Sequence, residues 1–304
     1  MERNSGLLIY DKDWKRVYHD IYDFVIYGSG SSGNSVELSP YQSLIDIGLP
    51  YAKYPEKLFN RLKYILLTHE HGDHLHLATV NRVNNHHAHI KFVIPERLIS
   101  ITQDKLLSKG YVELPESKII PIQFDETIVL DLPDDDVFSI HATKTPHGDI
   151  DNVAYTLKGF KPFDQFESPT ILYSSDLSTT LPYDDPLNEI HYPGLPKDEK
   201  YDIMFLEANY DLFELLKTTY TEAEVQQFID DKLSLNEIER NMSLDTHDTK
   251  ARGNLRHLSE QDAFGYVNRQ LNEKGIYIPL HASRDFGTFI HEIDDFKKVI
   301  AAKK

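Results

Sequence analysis

Cysteine is absent from the 304 residues of this chain. That removes disulfide frameworks, iron–sulfur clusters, thiolate zinc sites and cysteine nucleophiles together. A transition metal, if held, must sit on histidine and carboxylate. Long apolar runs are also missing: none approaches the ~20 residues needed to cross a bilayer. Residues 1–10 lack a basic stretch followed by an apolar one, so no secretory signal is expected and the default location is cytoplasmic. Positive charge is scarce. The 32 Lys and Arg face 49 Asp and Glu, a formal charge of −17. This argues against a protein that coats nucleic acid non-specifically, because such proteins neutralise phosphates with Lys and Arg. With 40 % apolar and 27 % charged residues, the composition is that of an ordinary globular protein.

Strand and helix signals alternate from end to end, which indicates a layered α/β architecture in one domain over 1–304. Its core is expected at about 23–287, with a helical segment at 211–240 and a C-terminal helix at 289–301 appended. Tyr64 to Leu67 reads as a buried strand, and helices are expected over 56–62 and 74–84. The Pro-, Asp- and Tyr-rich stretch 181–200 reads as a long surface loop. Ser259 and Asp262 form a capping-box-like start for a helix over 258–274, with Gly275 as its stop. The 211–240 block offers a face for a homodimer.

What the chain has in quantity is histidine, 15 in all. The densest stretch is Thr68-His69-Glu70-His71-Gly72-Asp73-His74, directly after the buried strand. His69 and His71 are two apart and share one side of an extended segment. Gly72 permits a sharp turn. Asp73 and His74 are expected to open the next helix and face back over the strand end. One short segment can thus serve two cations ~3.5–4 Å apart, as dinuclear hydrolytic sites require.

The segment Thr68 to His74 resembles the signature of the metallo-β-lactamase fold superfamily. Further elements of that pattern follow in order: Asp46-Ile47-Gly48 before it, then His147, Asp176 at a strand end, and His281 after Ile276 to Leu280. Four segments resemble the YycJ/WalJ-like branch: the Gly28 to Ser35 run, Leu206 to Asp211, Leu255 to Ser259 and Leu280 to Ser283. The resemblance implies an αββα sandwich holding two divalent metal ions, with zinc the best fit to His and carboxylate and manganese an alternative. It assigns His69, His71 and His147 to one ion, Asp73, His74 and His281 to the other, and Asp176 to both. Asp46 would orient a ligand. A water between two such cations becomes a nucleophile near neutral pH.

The function implied is hydrolysis of a phosphodiester, most simply an exonuclease-like activity on nucleic acid with Asp73 and His257 as catalytic groups. His257 would protonate the leaving oxygen. It lies in a basic island whose Arg252 and Arg256, with Arg284 later, are candidates for holding phosphate. The alternatives are a phosphodiesterase of small or cyclic nucleotides, a thioester, lactone or β-lactam hydrolase, and a non-catalytic metal-binding protein. The −17 charge questions a large polyanion as substrate unless a basic face is segregated. His141 reads as a packed strand residue. His86, His87 and His89 read as an exposed turn, and His76, His191, His247 and His291 are given no metal role.

Overall fold

A computed structural model describes residues 10–12, 24–147, 150–159, 168–185, 190–230 and 256–281. Arg252, Arg284, residues 231–240 and the expected helix at 289–301 lie outside them. Two sheets dominate. The first joins β2 (Phe24–Gly28), β3 (Ser35–Leu38), β4 (Ser43–Ile45), β5 (Tyr64–Leu66), β6 (Lys91–Pro95) and β7 (Ile119–Ile122) in that order. The second includes β1 (Tyr10–Asp11), β8 (Thr127–Asp131), β9 (Val137–His147), β10 (Ile150–Gly159), β11 (Thr170–Ser174), β14 (Tyr201–Glu207) and β15 (Leu271–Leu280), in the spatial order β1-β15-β14-β11-β10-β9-β8. A small hairpin pairs β12 (Tyr183–Asp185) with β13 (Ile190–Tyr192). The stretch expected to be a surface loop thus contains paired strands, and its Tyr192 and Leu195 are buried.

The central strands read as continuous apolar runs because both of their faces are covered. Ile45, Leu66 and Val93 point toward the opposite sheet, where Tyr155, Tyr173, Phe205 and Ile278 meet them. Their neighbours Leu44, Ile65 and Phe92 point the other way, under α1 (Leu58–Arg61), α2 (Leu77–His86) and α3 (Glu96–Ser108). Likewise Leu172, Met204, Leu206 and Tyr277 face α6 (Glu260–Gln270) on the outside of the second sheet. Helix, sheet, sheet and helix therefore stack in four layers, as the αββα expectation requires. Two further helices, α4 (Leu212–Leu216) and α5 (Glu222–Asp230), occupy the described part of the 211–240 block.

Phe205 shows how the inter-sheet core is held. It is fully buried, and its ring meets Phe24 of the other sheet edge-on at 4.9 Å. Phe205→Ala should cost about 3–5 kcal/mol of stability, since the surrounding sheets cannot collapse into the space. Urea unfolding monitored by circular dichroism measures it. A loss below ~1 kcal/mol would contradict this packing.

Two helix boundaries differ from expectation. The helix after the histidine-rich segment begins at Leu77, not His74, because residues 72–74 form a turn and Leu75 bridges to Ile47. His76 caps it, accepting from the Thr79 N–H. The helix capped by Ser259 ends at Gln270, short of Gly275. Leu271 is already buried as the first residue of β15, paired with Tyr201. Burial against β14 overrides the glycine signal. Among the described residues no helix is long and apolar enough to cross a membrane.

Candidate metal centre

The strands β4 and β5 run parallel, as do β11, β14 and β15. Their carboxyl ends therefore carry their following residues to shared edges, where α/β proteins commonly place ligands. Asp46 follows β4, residues 67–74 follow β5, and Asp176 follows β11. Glu207 ends β14, His281 follows β15, and His147 ends β9. Asp46, Asp176 and His281 have φ of 59°, 53° and 57°. Left-handed backbone is costly for residues with a side chain, and it gathers at functional sites when the surroundings enforce it.

The donors converge. One atom each from His69, His71, His147 and Asp176 lies within 4.8 Å of the others, and the same holds for Asp73, His74 and Asp176. A third group joins Asp176 to Glu207, His257 and His281. Asp176 is common to all three. Its Oδ2 is 3.1 Å from His74 Nε2, 3.6 Å from His69 Nε2 and 3.7 Å from His147 Nε2. His69 Nε2 and His71 Nδ1 stand 3.0 Å apart, close to the ~3.3 Å edge of a tetrahedron with ~2.0 Å metal–nitrogen bonds.

Hydrogen bonds fix which nitrogen each ring turns inward. His74 Nδ1 is 2.7 Å from Asp46 Oδ2. A carboxylate only accepts, so the proton is on Nδ1 and Nε2 offers its lone pair. Thr68 Oγ1 donates to the same carboxylate, at 2.9–3.0 Å. It therefore accepts from His69 Nδ1, 3.0 Å away. His147 Nδ1 donates to the carbonyl of Arg256 at 3.3 Å. Three rings thus present Nε2 to the cluster, each held by a partner behind it. Asp46, fully buried, also accepts the Thr68 N–H. Gly48 completes the Asp46-Ile47-Gly48 turn for a steric reason: a Cβ there would lie 1.7 Å from the Asp73 carbonyl. Asp46→Ala should weaken metal affinity about 10–100-fold. Competition with a chromogenic chelator reads this out, and unchanged affinity would contradict the role.

The electrostatics suit a cation. Burial and the neighbouring imidazoles hold His69 well below its usual value, and burial pulls His147 down to about 4. Both are neutral donors at physiological pH. Burial also opposes charge on His74 and His281, but carboxylates outweigh it there. Asp176 and Asp46 raise His74, while Asp176 and Glu207 push His281 up to about 10. The field that favours a proton on those rings also favours a metal cation. Asp176 Oδ1 supplies a direct test of fit. It is buried without a hydrogen bond, although His281 Nδ1 comes within 2.8 Å, because that N–H is aimed at Glu207 Oε1 at 3.1 Å. A buried carboxylate oxygen without a hydrogen bond, facing a ring of imidazole nitrogens, suits a metal ion.

Besides Thr68, two residues of the site had no assigned role in the sequence. Glu207 is wholly buried and accepts from both His257 Nδ1, at 2.7 Å, and His281 Nδ1. It was visible only as part of a resembling segment. Asn34, in the Gly/Ser run, accepts the Gly30 N–H at 2.7 Å. That orients its amide so Nδ2 stands 2.8 Å from His74 Nε2 and 3.4 Å from Asp73 Oδ2. No spacing rule marks either one, since their partners in the cluster are 39 to 74 residues away.

The His257 ring lies beside the cluster, its centroid 5.1 Å from that of His147 and 4.8 Å from that of His281. Arg256 presents its backbone carbonyl to the site, and its side chain is exposed. His141 is a half-buried strand residue bonded to Thr127. His86 and His89 are exposed as expected. His87 is not: it is buried, and its Nε2 meets Tyr51 Oη at 3.0 Å.

No protein-family model matches the chain, and no curated protein matches it. Solved structures do. The metallo-β-lactamase fold protein YhfI from Bacillus subtilis is 16 % identical, with a TM-score of 0.50 over 92 % of this chain and 91 % of that one. The chain has the metallo-β-lactamase fold. Human tRNase Z, short form, is 13 % identical at a TM-score of 0.48, covering 86 % and 92 %. Zinc-bound PqqB from Methylobacterium extorquens is 11 % identical at 0.38, covering 64 % and 75 %. At these identities the likeness concerns the metallo-β-lactamase fold alone.

Proposed function

We propose that this protein is a metal-dependent phosphodiesterase acting on nucleic acid. His69, His71, His147 and Asp176 would hold one divalent cation, and Asp73, His74, His281 and Asp176 a second. Zinc suits these donors best, with manganese an alternative. Bound there, the cations would polarise a phosphoryl oxygen and make an attacking water more acidic. Asp73, half-buried at the rim, would orient that water and accept its proton.

The observation that carries the reading is the Glu207–His257 pair beside the ligand cluster. Glu207 Oε1 holds the Nδ1 proton of His257 at 2.7 Å, leaving Nε2 to exchange a proton with substrate. His257 is one-fifth exposed, so substrate can reach it. An alkoxide leaving from a phosphodiester is strongly basic and needs that proton. A thiolate does not, because thiols ionise near ~8.5. A positioned acid therefore favours phosphodiesters over thioesters.

The experiment is a hydrolysis screen after chelation and metal add-back. Single-stranded DNA, duplex DNA, RNA, cyclic nucleotides, a thioester and a β-lactam are compared. Polynucleotide cleavage restored by metal is expected. Turnover of the thioester or β-lactam alone would overturn the reading, and turnover of cyclic nucleotides alone would confine it to small substrates.

A further inference from the structure

The far end of α2 carries a second cluster of cationic and aromatic groups, outside the metal centre. Residues 51–118 contain ten Lys and Arg against seven Asp and Glu, a surplus of three, in a chain whose total is −17. The other 236 residues therefore sum to −20. Within the surplus region the guanidinium of Arg82 lies 4.2 Å from the centre of the Tyr51 ring. Tyr51 in turn stacks on Phe59, with centroids 4.9 Å apart and planes at 16°. Tyr51 Oη meets His87 Nε2, and the His87 carbonyl accepts from Lys118 Nζ at 3.2 Å. His89 Nε2 reaches the Phe59 carbonyl at 3.2 Å.

Arg82, Lys53, His86 and His89 are exposed around this framework. Among the described residues, none of Lys53, Arg82 and Lys118 has a carboxylate within ion-pair distance. The groups that act on His87, after burial, are His89, His86, Lys118 and Arg82, all of the positive class. Like charges gathered without a carboxylate among them repel one another and leave a local positive field that an anion can satisfy. The stacked Arg82 is pre-oriented, with its outer face and N–H groups free for an anion or a base.

We propose that Lys53, Arg82, His86 and His89 form a docking surface for the phosphate backbone of a single-stranded polynucleotide. The proposal rests on the phosphodiesterase reading for its link to catalysis. Arg82 and His86 lie six and ten residues beyond the cap His76, about 9–15 Å along the helix axis from the metal loop. A strand of a few nucleotides covers that distance. The surface would thus hold the continuing strand while the metal centre holds the scissile bond, which reconciles a −17 chain with a polyanionic substrate.

The test uses metal-loaded protein and a phosphorothioate single strand of about 12 nucleotides, within the usual range of such sites. Binding is measured against salt, and hydrolysis of bis(p-nitrophenyl) phosphate in parallel. The double variant Lys53→Glu/Arg82→Glu should lose at least ~10-fold in affinity, and its salt slope should shrink by ~1.4 for two lost phosphate contacts. Turnover of the small substrate should be unchanged. Arg82→Lys, which keeps the charge, should recover part of the affinity. Equal affinity of the double variant, or no strand binding by the wild type, would overturn the docking surface. Strand binding without any phosphodiester hydrolysis would instead overturn the phosphodiesterase reading and leave the surface standing.

Discussion

Asp176→Ala should abolish hydrolysis, with a fall of at least ~10³-fold, since it removes the charge that organises the centre. Among the described residues, no other reaches all three groups of donors. Its Oδ2 faces His69, His74 and His147, and its Oδ1 approaches His281. Without it, His74 keeps Asp46 behind the ring but loses the carboxylate in front. Burial then opposes positive charge at that face with less to offset it. Bound metal should fall to less than one equivalent per chain, measured by elemental analysis after gel filtration. Asp176→Asn, which keeps the volume and removes the charge, separates coordination from packing: it should fold normally and remain inactive. A metal-replete, active Asp176→Ala protein would refute the assignment.

Removal of the His257 side chain should cost about 10²–10⁴-fold in kcat on a natural phosphodiester, the usual contribution of a positioned acid or base. KM should move little, because an acid acts on the leaving oxygen and not on the bound ground state. The sharper signature is leaving-group dependence. A p-nitrophenyl ester departs as a stable anion, so His257→Ala should lose far less on it. Glu207→Gln should show the same pattern in weaker form, since an amide carbonyl still accepts from His257 Nδ1 but without the charge. Equal losses on both substrates would mean that His257 holds structure or metal and does not donate a proton.

Much of this was legible along the chain. The metal loop is contiguous, and its Gly72 turn, its His spacing and the preceding buried strand are all local features. The inter-sheet core follows from apolar runs whose alternate residues serve opposite faces. The helix boundaries were less legible. His74 is needed in a turn where its Nδ1 meets Asp46, so the helix starts only when that bond is made. Gly275 looked like a stop, but the apolar surface of Leu271 against β14 was worth more than a favourable cap. His87 looked like one of three exposed histidines, and only the position of Tyr51, 36 residues earlier, covers it.

The sequence by itself determined the alternation of strands and helices that makes a layered α/β fold, the His-and-Asp character of any metal site, and the candidates His69, His71, Asp73, His74, His147, Asp176 and His281. These depend on residue type, period and order, which are properties of a line. The tertiary structure alone decided which nitrogen each imidazole turns inward. It made Asp46 and Thr68 the backing of His69 and His74, turned the Arg256 carbonyl toward His147, and recruited Glu207 and Asn34. Those facts depend on hydrogen bonds between strand ends far apart in the chain. Parallel strands bring such ends to shared edges, and no spacing in the sequence records which of them will meet.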